Sequence, residues 1–247
     1  NANASNYDVF NLCPTKKYYW RIRSLVNSVY SVTSRGEVDV CDQCRMLDGD
    51  GEGTLNFRDL GGWKGLNGKR IKYGRLIRGA EVYREGLIEI SAAGIDTLVT
   101  KLKIDVELDF GDFSDYSPLE AEGVEFIHGA ETYGIIGYNY PDRASIANAT
   151  GRVRFYNCLN AVITALGTGK NIYFHCNAGA DRTGTFAFII EALLGVSDSD
   201  KSKDYELTSF YTPRYRNVNA DNEYGYPSMI AWINANYTGD TLNENVY

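Results

Sequence analysis

Asn171-Ile172-Tyr173-Phe174-His175-Cys176-Asn177-Ala178-Gly179-Ala180-Asp181-Arg182-Thr183-Gly184 is the stretch that decides the fold. Residues 171–174 form a short run with β-branched and aromatic side chains, which reads as a buried strand. Residues 182–194 are apolar for long enough to form a helix. A strand, a tight glycine-containing loop and a helix N-terminus together make an anion-binding device. Backbone N–H groups converge there, and the helix dipole adds partial positive charge. Gly179 and Gly184 allow the backbone to curl and approach closely, where a Cβ would hinder it.

Into this cradle the sequence places a thiol, Cys176, at the start and a guanidinium, Arg182, at the far end. The thiolate is the nucleophilic form of cysteine, and a helix N-terminus beside a cation favours it. Arg182 can grip two phosphate oxygens bidentately and neutralise charge on them in the transition state. The backbone of Asn177, Ala178, Gly179, Ala180, Asp181, Arg182 and Thr183 is expected to hold a substrate phosphate. Thr183 is expected to donate to the Cys176 sulfur and ease its departure from a phosphocysteine. His175 is expected to orient the loop by hydrogen bonding, with no part in proton transfer. The plain alternative is a buried structural cysteine beside a surface arginine. The whole string between a strand and an apolar helix speaks against it.

Strand and helix patterns alternate outward from this loop. Residues 71–78 and 104–110 have strand character, and 124–128 form a further short strand. Ser91 is placed to N-cap a helix running to about Lys101, with Ile95, Leu98, Val99 and Leu102 on one stripe. Residues 147–166 carry Val153, Phe155, Tyr156, Leu159, Val162 and Ile163 at helical spacing. The alternation predicts an α/β fold with a central, mostly parallel sheet flanked by helices.

The loop string resembles the signature of protein tyrosine phosphatases. The likeness is to the tyrosine/lipid phosphatase family whose loop reads His-Cys-x-x-Gly-x-Asp-Arg-Thr-Gly. Asn56-Phe57-Arg58-Asp59-Leu60-Gly61-Gly62 is similar to that family's Asn-Phe-Arg-Asp-Leu-Gly-Gly stretch. Leu76-Ile77-Arg78-Gly79-Ala80 and Asp204-Tyr205-Glu206-Leu207 resemble further family segments. The resemblance implies a tyrosine-phosphatase-like fold and a metal-free, cofactor-independent hydrolysis through a phosphocysteine. The implied substrate is a phosphotyrosine protein or a phosphorylated small molecule or lipid; the alternatives are an inositol phosphate or phosphoinositide phosphatase, or a non-catalytic phosphate-binding module that keeps the cradle without a working acid. Two departures stand out. Many members carry Lys where this chain has Ala180, which weakens the case for polyphosphorylated lipids. An Asp-Leu-Arg strand end is replaced by Glu107-Leu108-Asp109, an acid in place of the Arg.

A tyrosyl leaving group departs better when an acid protonates it in the same step. Tyr140-Pro141-Asp142 lies ahead of the 147–166 helix and resembles the Trp-Pro-Asp loop of tyrosine phosphatases, which makes Asp142 a candidate general acid. An ordinary Pro-Asp turn is the alternative. Asp181, beside Arg182, suits water activation or loop support. Asp59 and Glu107 are recruited by resemblance to positions near the pocket, either as acids or as structural partners of Arg182 or backbone amides.

The chain has 247 residues, 44 % hydrophobic and 23 % charged, with a net charge of −7. That balance argues against a general nucleic-acid surface. No apolar stretch is long enough to be a transmembrane segment. Residues 1–53 differ in texture and are expected to form an extension packed on a phosphatase domain of residues 54–247. The acid–glycine run at 48–53 reads as a turn or linker, since the ligand spacing of a calcium loop is not completed. The five cysteines are Cys13, Cys41, Cys44, Cys158 and Cys176. With Cys176 free, the other four can pair, which points to a secreted or periplasmic setting. Cys41-x-x-Cys44 has no second ligand pair for zinc, and a disulfide involving Cys13 is the favoured reading. Asn3, Asn148 and Asn236 sit in glycosylation sequons, which matter only in a eukaryotic secretory host. Tyr133, Tyr138 and Tyr140 are candidates to line an aromatic cleft, and Lys16, Arg143 or Arg214 to recruit further phosphates.

Overall fold

The computed structural model describes residues 9, 11–40, 45–47, 55–111, 115–129, 148–211, 216–219 and 225–247. The chain opens with a hairpin, β1 (Lys17–Val26) and β2 (Val29–Asp39), that forms its own two-stranded sheet. It turns at Asn27 and Ser28, both with positive φ, the conformation a tight two-residue hairpin requires. Next come the short strands β3 (Arg45–Met46) and β4 (Arg58–Asp59), then β5 (Leu76–Ala80) and the ribbon β6 (Tyr83–Arg84) with β7 (Ile88–Glu89). There follow α1 (Ala92–Asp96), β8 (Val106–Asp109), β9 (Glu125–His128), α2 (Ala149–Gly167) and β10 (Ile172–Cys176). Helices α3 (Arg182–Leu193), α4 (Asp198–Leu207), α5 (Tyr226–Asn236) and α6 (Leu242–Val246) complete the order.

The central sheet has six strands in the order β3-β4-β5-β10-β8-β9. β5, β10, β8 and β9 run parallel, while β3 and β4 add antiparallel at one edge. The expected mostly parallel α/β sheet is what forms. Strand β10 lies at its centre and is buried along its whole length, as a parallel strand covered on both faces must be. Its residues alternate between two cores. Ile172, Phe174 and Cys176 join Phe155, Phe186 and Leu108 under α2 and α3, while Tyr173 joins Ile77, Leu98 and Leu119 on the opposite face. Phe186 stacks on Phe155 and meets Phe110 and Phe174 edge to face.

Several elements differ from expectation at their edges. The strand expected at 71–78 begins at Leu76. Ile71 instead pairs back on Trp63 and Gly62 through backbone bonds of 3.0 and 2.9 Å, and Gly74 turns at a φ of +75°. Ser91 does cap its helix, accepting from the Gly94 amide at 3.1 Å. The helix narrows to α1 and continues as a wider π turn over Thr97–Lys101.

The cysteine pairing is a correction. Cys13 and Cys158 are free, buried thiols. Cys158 faces the apolar core from α2, where burial pushes its thiol well up and leaves it inert. Cys41, Cys44 and the 48–53 run lie outside the described residues. No helix among the described residues is long and apolar enough to cross a membrane.

Candidate active site

The loop of residues 177–181 leaves the C-terminal end of β10, the edge of a parallel sheet where ligands are bound. Gly179 adopts a φ of +62°, and a Cβ there would meet the Gly79 carbonyl oxygen at 2.3 Å. Only glycine fits that close approach. The helix begins immediately afterwards, with Gly184 N donating to Ala180 O at 3.1 Å and Thr185 N to Asp181 O at 2.8 Å.

Three successive loop carbonyls are held from outside. Glu81 N donates to Asn177 O at 3.1 Å, Asn56 Nδ2 to Ala178 O at 3.0 Å, and Arg78 Nη2 to Gly179 O at 2.9 Å. A trans peptide plane carries its N–H opposite its C=O. Fixing these carbonyls outward therefore turns the amides of Ala178, Gly179 and Ala180 to the other side, the inside of the curl. This is a nest of N–H donors whose orientation is set before any anion arrives.

At the two ends of the curl, Cys176 is 4 % exposed and Arg182 is 2 % exposed. Arg182 Nη1 donates to the Phe110 carbonyl just beyond β8, which anchors the guanidinium across the sheet. Asp181 accepts from Arg216 Nη2 at 2.6 Å. Thr183 is fully buried, and its hydroxyl has no partner among the described residues, so the expected bond to the Cys176 sulfur is not formed. His175 also differs from expectation. Its Nε2 lies 2.8 Å from Glu107 Oε1, and its Nδ1 lies 3.4 Å from Asp109 Oδ1. The ring is held by the carboxylates of β8 and makes no bond to the loop in this arrangement.

Asp59 accepts from Gly61 N at 2.8 Å, Gly74 N at 2.7 Å and Arg45 Nη1 at 2.9 Å. Burial holds its carboxyl above the ordinary value against these donors. Glu107 is shared between His175 and the Ser117 hydroxyl. Both acids therefore have structural partners of the kind expected as their alternative role, with Arg45 and His175 in place of Arg182. Asp142, Tyr133, Tyr138, Tyr140, Arg143 and Arg214 lie outside the described residues.

A family model described as the tyrosine phosphatase family matches residues 50–238. The chain belongs to the tyrosine phosphatase family. A Cupriavidus necator protein provisionally named as a tyrosine-protein phosphatase is 32 % identical over 167 residues. That match takes in 61 % of this chain and spans 59 % of the relative's length. Among solved structures, the core catalytic domain of the PP-IP phosphatase SIW14 from S. cerevisiae, in complex with citrate, aligns with a TM-score of 0.41 at 19 % identity. The alignment covers 57 % of this chain and 74 % of that one.

In this member of the tyrosine phosphatase family, the segments that accompany the loop signature meet beneath it. Arg58 donates from Nε to Asp204 Oδ1 at 2.9 Å, from Nη2 to Asp204 O at 2.9 Å, and from Nη1 to Asn56 Oδ1 at 2.6 Å. Arg78 Nη1 donates to Asp204 Oδ2. Burial pushes the Asp204 carboxyl up, but the two guanidiniums outweigh it and hold it below the usual range. Glu191, buried on α3, is raised well above its ordinary value by burial and then by the Asp204 charge.

The opposite face of the sheet carries acids. Glu81 follows β5, is 2 % exposed, and neither of its carboxylate oxygens has a hydrogen-bond partner among the described residues. Burial, and then the charge of Asp109, push its carboxyl up to about 7 against the pull of His175, Arg84 and Arg182. Burial works against protonation of His175, but Asp109 and Glu107 outweigh it and raise the ring to about 9. Asp109 occupies the position where family members often have Arg, and here it faces an imidazolium. Sequence reasoning gave no role to Asn56, Arg58, Arg78, Glu81, Asp109 or Asp204. An arginine within the otherwise apolar run of β5 was the available signal, because a charge in a fully buried strand must have a dedicated partner.

Proposed function

We propose that this protein is a cysteine-dependent phosphomonoester hydrolase acting on phosphotyrosine. Cys176 is the nucleophile and attacks phosphorus in line. The amides of residues 177–183 and the Arg182 guanidinium hold the equatorial oxygens. Asp142 protonates the leaving oxygen, and water then hydrolyses the phosphocysteine, releasing phosphate and the thiolate. The observation that carries this reading is the outward fixing of the Asn177, Ala178 and Gly179 carbonyls, which commits the loop amides to an anion. Asp181, ion-paired to Arg216, supports the loop. His175, Asp59 and Glu107 act as supports beneath the site.

Ala180 supplies no cation to the loop, which favours a monophosphorylated aryl substrate over a polyphosphorylated inositol or phosphoinositide. With Cys13 and Cys158 free, the cysteine count no longer supports a secreted or periplasmic setting. The test is hydrolysis of an aryl phosphate, with vanadate as inhibitor. Cys176→Ser is expected to abolish turnover, a loss of at least about 10⁴-fold, while phosphate still binds. Asp142→Asn is expected to lower kcat by about 10²-fold and to remove one limb of its pH profile. Turnover by Cys176→Ser at the wild-type rate overturns the mechanism. Faster turnover of phosphoinositides than of phosphotyrosine peptides overturns the substrate class.

A further inference from the structure

Two side chains reach the back of the loop from the segments beneath it, and both are buried. Asn56 holds the Ala178 carbonyl, and Arg78 holds the Gly179 carbonyl. We propose that Arg78 and Asn56 are positioning residues of the phosphate loop, and that Arg58 and Asp204 act by fixing these two side chains in place. The proposal rests on the reading of the loop as the phosphate site.

Arg78 sits in the middle of β5, a position that an apolar side chain would fill at lower desolvation cost. Its guanidinium fork explains why an arginine stands there. One arm is held by Asp204 on α4, and the other reaches the loop. Lysine has a single point of charge and cannot span both acceptors at once. Arg58 repeats the arrangement one step back, binding Asp204 through two nitrogens and the Asn56 side-chain oxygen through a third. That last bond assigns the Asn56 amide, because its oxygen must accept from Arg58 and its nitrogen is left to donate to Ala178 O. Two of the three carbonyl anchors, at Ala178 and Gly179, therefore trace back to one carboxylate, Asp204. The Arg78 guanidinium also places a positive charge directly against the peptide whose N–H belongs to Ala180. This charge polarises that peptide toward a bound anion.

The experiment compares wild type, Arg78→Gln, Arg78→Lys and Asn56→Ala, using inorganic phosphate as competitive inhibitor of aryl phosphate hydrolysis. Leu102→Ala, in the core on the other face of the sheet, is a control for lost stability alone. Arg78→Gln is expected to weaken phosphate inhibition by about tenfold and to lower kcat/KM by about 10²-fold, the scale of one misplaced transition-state donor. Asn56→Ala is expected to move both in the same direction by less. Arg78→Lys is expected to recover part of the loss, and Leu102→Ala to leave the phosphate inhibition constant unchanged. Wild-type inhibition constants in folded Arg78→Gln overturn the proposal. If that variant does not fold, a wild-type constant in Asn56→Ala overturns it equally. A wild type that phosphate does not inhibit overturns the underlying reading of the loop instead.

Discussion

Strand β10 separates two buried charge clusters that obey different rules. On the α3 face, Arg58, Arg78, Asn56 and Asp204 form a closed frame in which the Asp204 carboxylate is matched by two guanidiniums. On the other face, three carboxylates, Glu81, Glu107 and Asp109, surround one imidazole. In the first cluster the two guanidiniums outweigh burial and hold the Asp204 carboxyl below its usual range. The second holds groups that titrate within reach of neutrality. Both back the same loop, so the comparison separates a residue that fixes geometry from one that tunes charge. Burial alone does not distinguish them, since Asp204 and Glu81 are both 2 % exposed. What differs is the sign and number of their neighbours.

The largest expected effect comes from breaking the frame. Asp204→Asn leaves two buried guanidiniums facing a neutral amide, and removing one partner of a buried ion pair costs about 3–5 kcal/mol. Urea unfolding at neutral pH measures it. Glu191 sharpens the result. Its carboxyl is raised by burial first and then by the Asp204 charge, so removing that charge in Asp204→Asn favours the ionised form, which takes up part of the imbalance. Glu191→Gln should then cost more in the Asp204→Asn background than in the wild type. A loss below about 1 kcal/mol in Asp204→Asn, the size of a surface pair, would mean that the frame is not a frame.

Where sequence could be read, local rules were sufficient. β10, the loop and α3 follow from an apolar run, two glycines and a second apolar run. The α1 start follows from Ser91, whose side chain bonds only three residues away. α2 follows from periodicity and begins one cap later than expected, at Asn148, which accepts from Thr150 N at 2.8 Å. The frame obeys no local rule. Arg58 and Asp204 are far apart in the chain and meet only because β4, β5 and α4 pack together. Their motifs were visible as family likeness, while their chemistry was not. The hairpin was missed for another reason. Its turn is Asn27-Ser28, and without the glycine that usually marks such a turn its positive φ values leave little trace. The Thr183 expectation failed because placing a hydroxyl near a sulfur in sequence says nothing about its rotamer.

The acid face predicts a pH signature that the frame lacks. Glu81 has its folded value pushed up to about 7, from an ordinary value of 4.5. Between these the unfolded chain releases the proton first, so stability is full below about 4.5 and falls as pH rises to about 7. The total loss is on the order of 3 kcal/mol. His175, raised from 6.5 to about 9, behaves alike at higher pH. Its stabilisation is full below 6.5 and is lost as pH rises through about 9. Glu81→Gln should therefore match the wild type near pH 4, exceed it by on the order of 3 kcal/mol at pH 8, and keep a smaller His175-linked decline, since Glu81 is one of the charges that raise the ring. Denaturant unfolding across pH 4–10 reads both arms. A difference between Glu81→Gln and wild type that does not change with pH would remove the titrating role of this face.

The smallest effect tests where the acid face is anchored. Ser117 is buried, donates its hydroxyl to Glu107, and accepts from the Leu119 amide at 3.1 Å as the cap of a short 3₁₀ turn. Its amide in turn donates to the Glu120 carboxylate at 3.2 Å, closing a capping box. Ser117→Ala removes the cap and one donor to Glu107, a loss of about 1–2 kcal/mol. Neither the hydroxyl nor the amide titrates, so this loss should be a constant offset between pH 5 and pH 8, unlike the growing difference expected for Glu81→Gln. The Glu107–His175 pair would keep its 2.8 Å contact, because Glu107 Oε1 bonds the ring and Oε2 bonds the serine. An offset that widens with pH would instead mean that Ser117 helps hold His175 protonated, which would make the turn part of the titrating cluster and not its anchor.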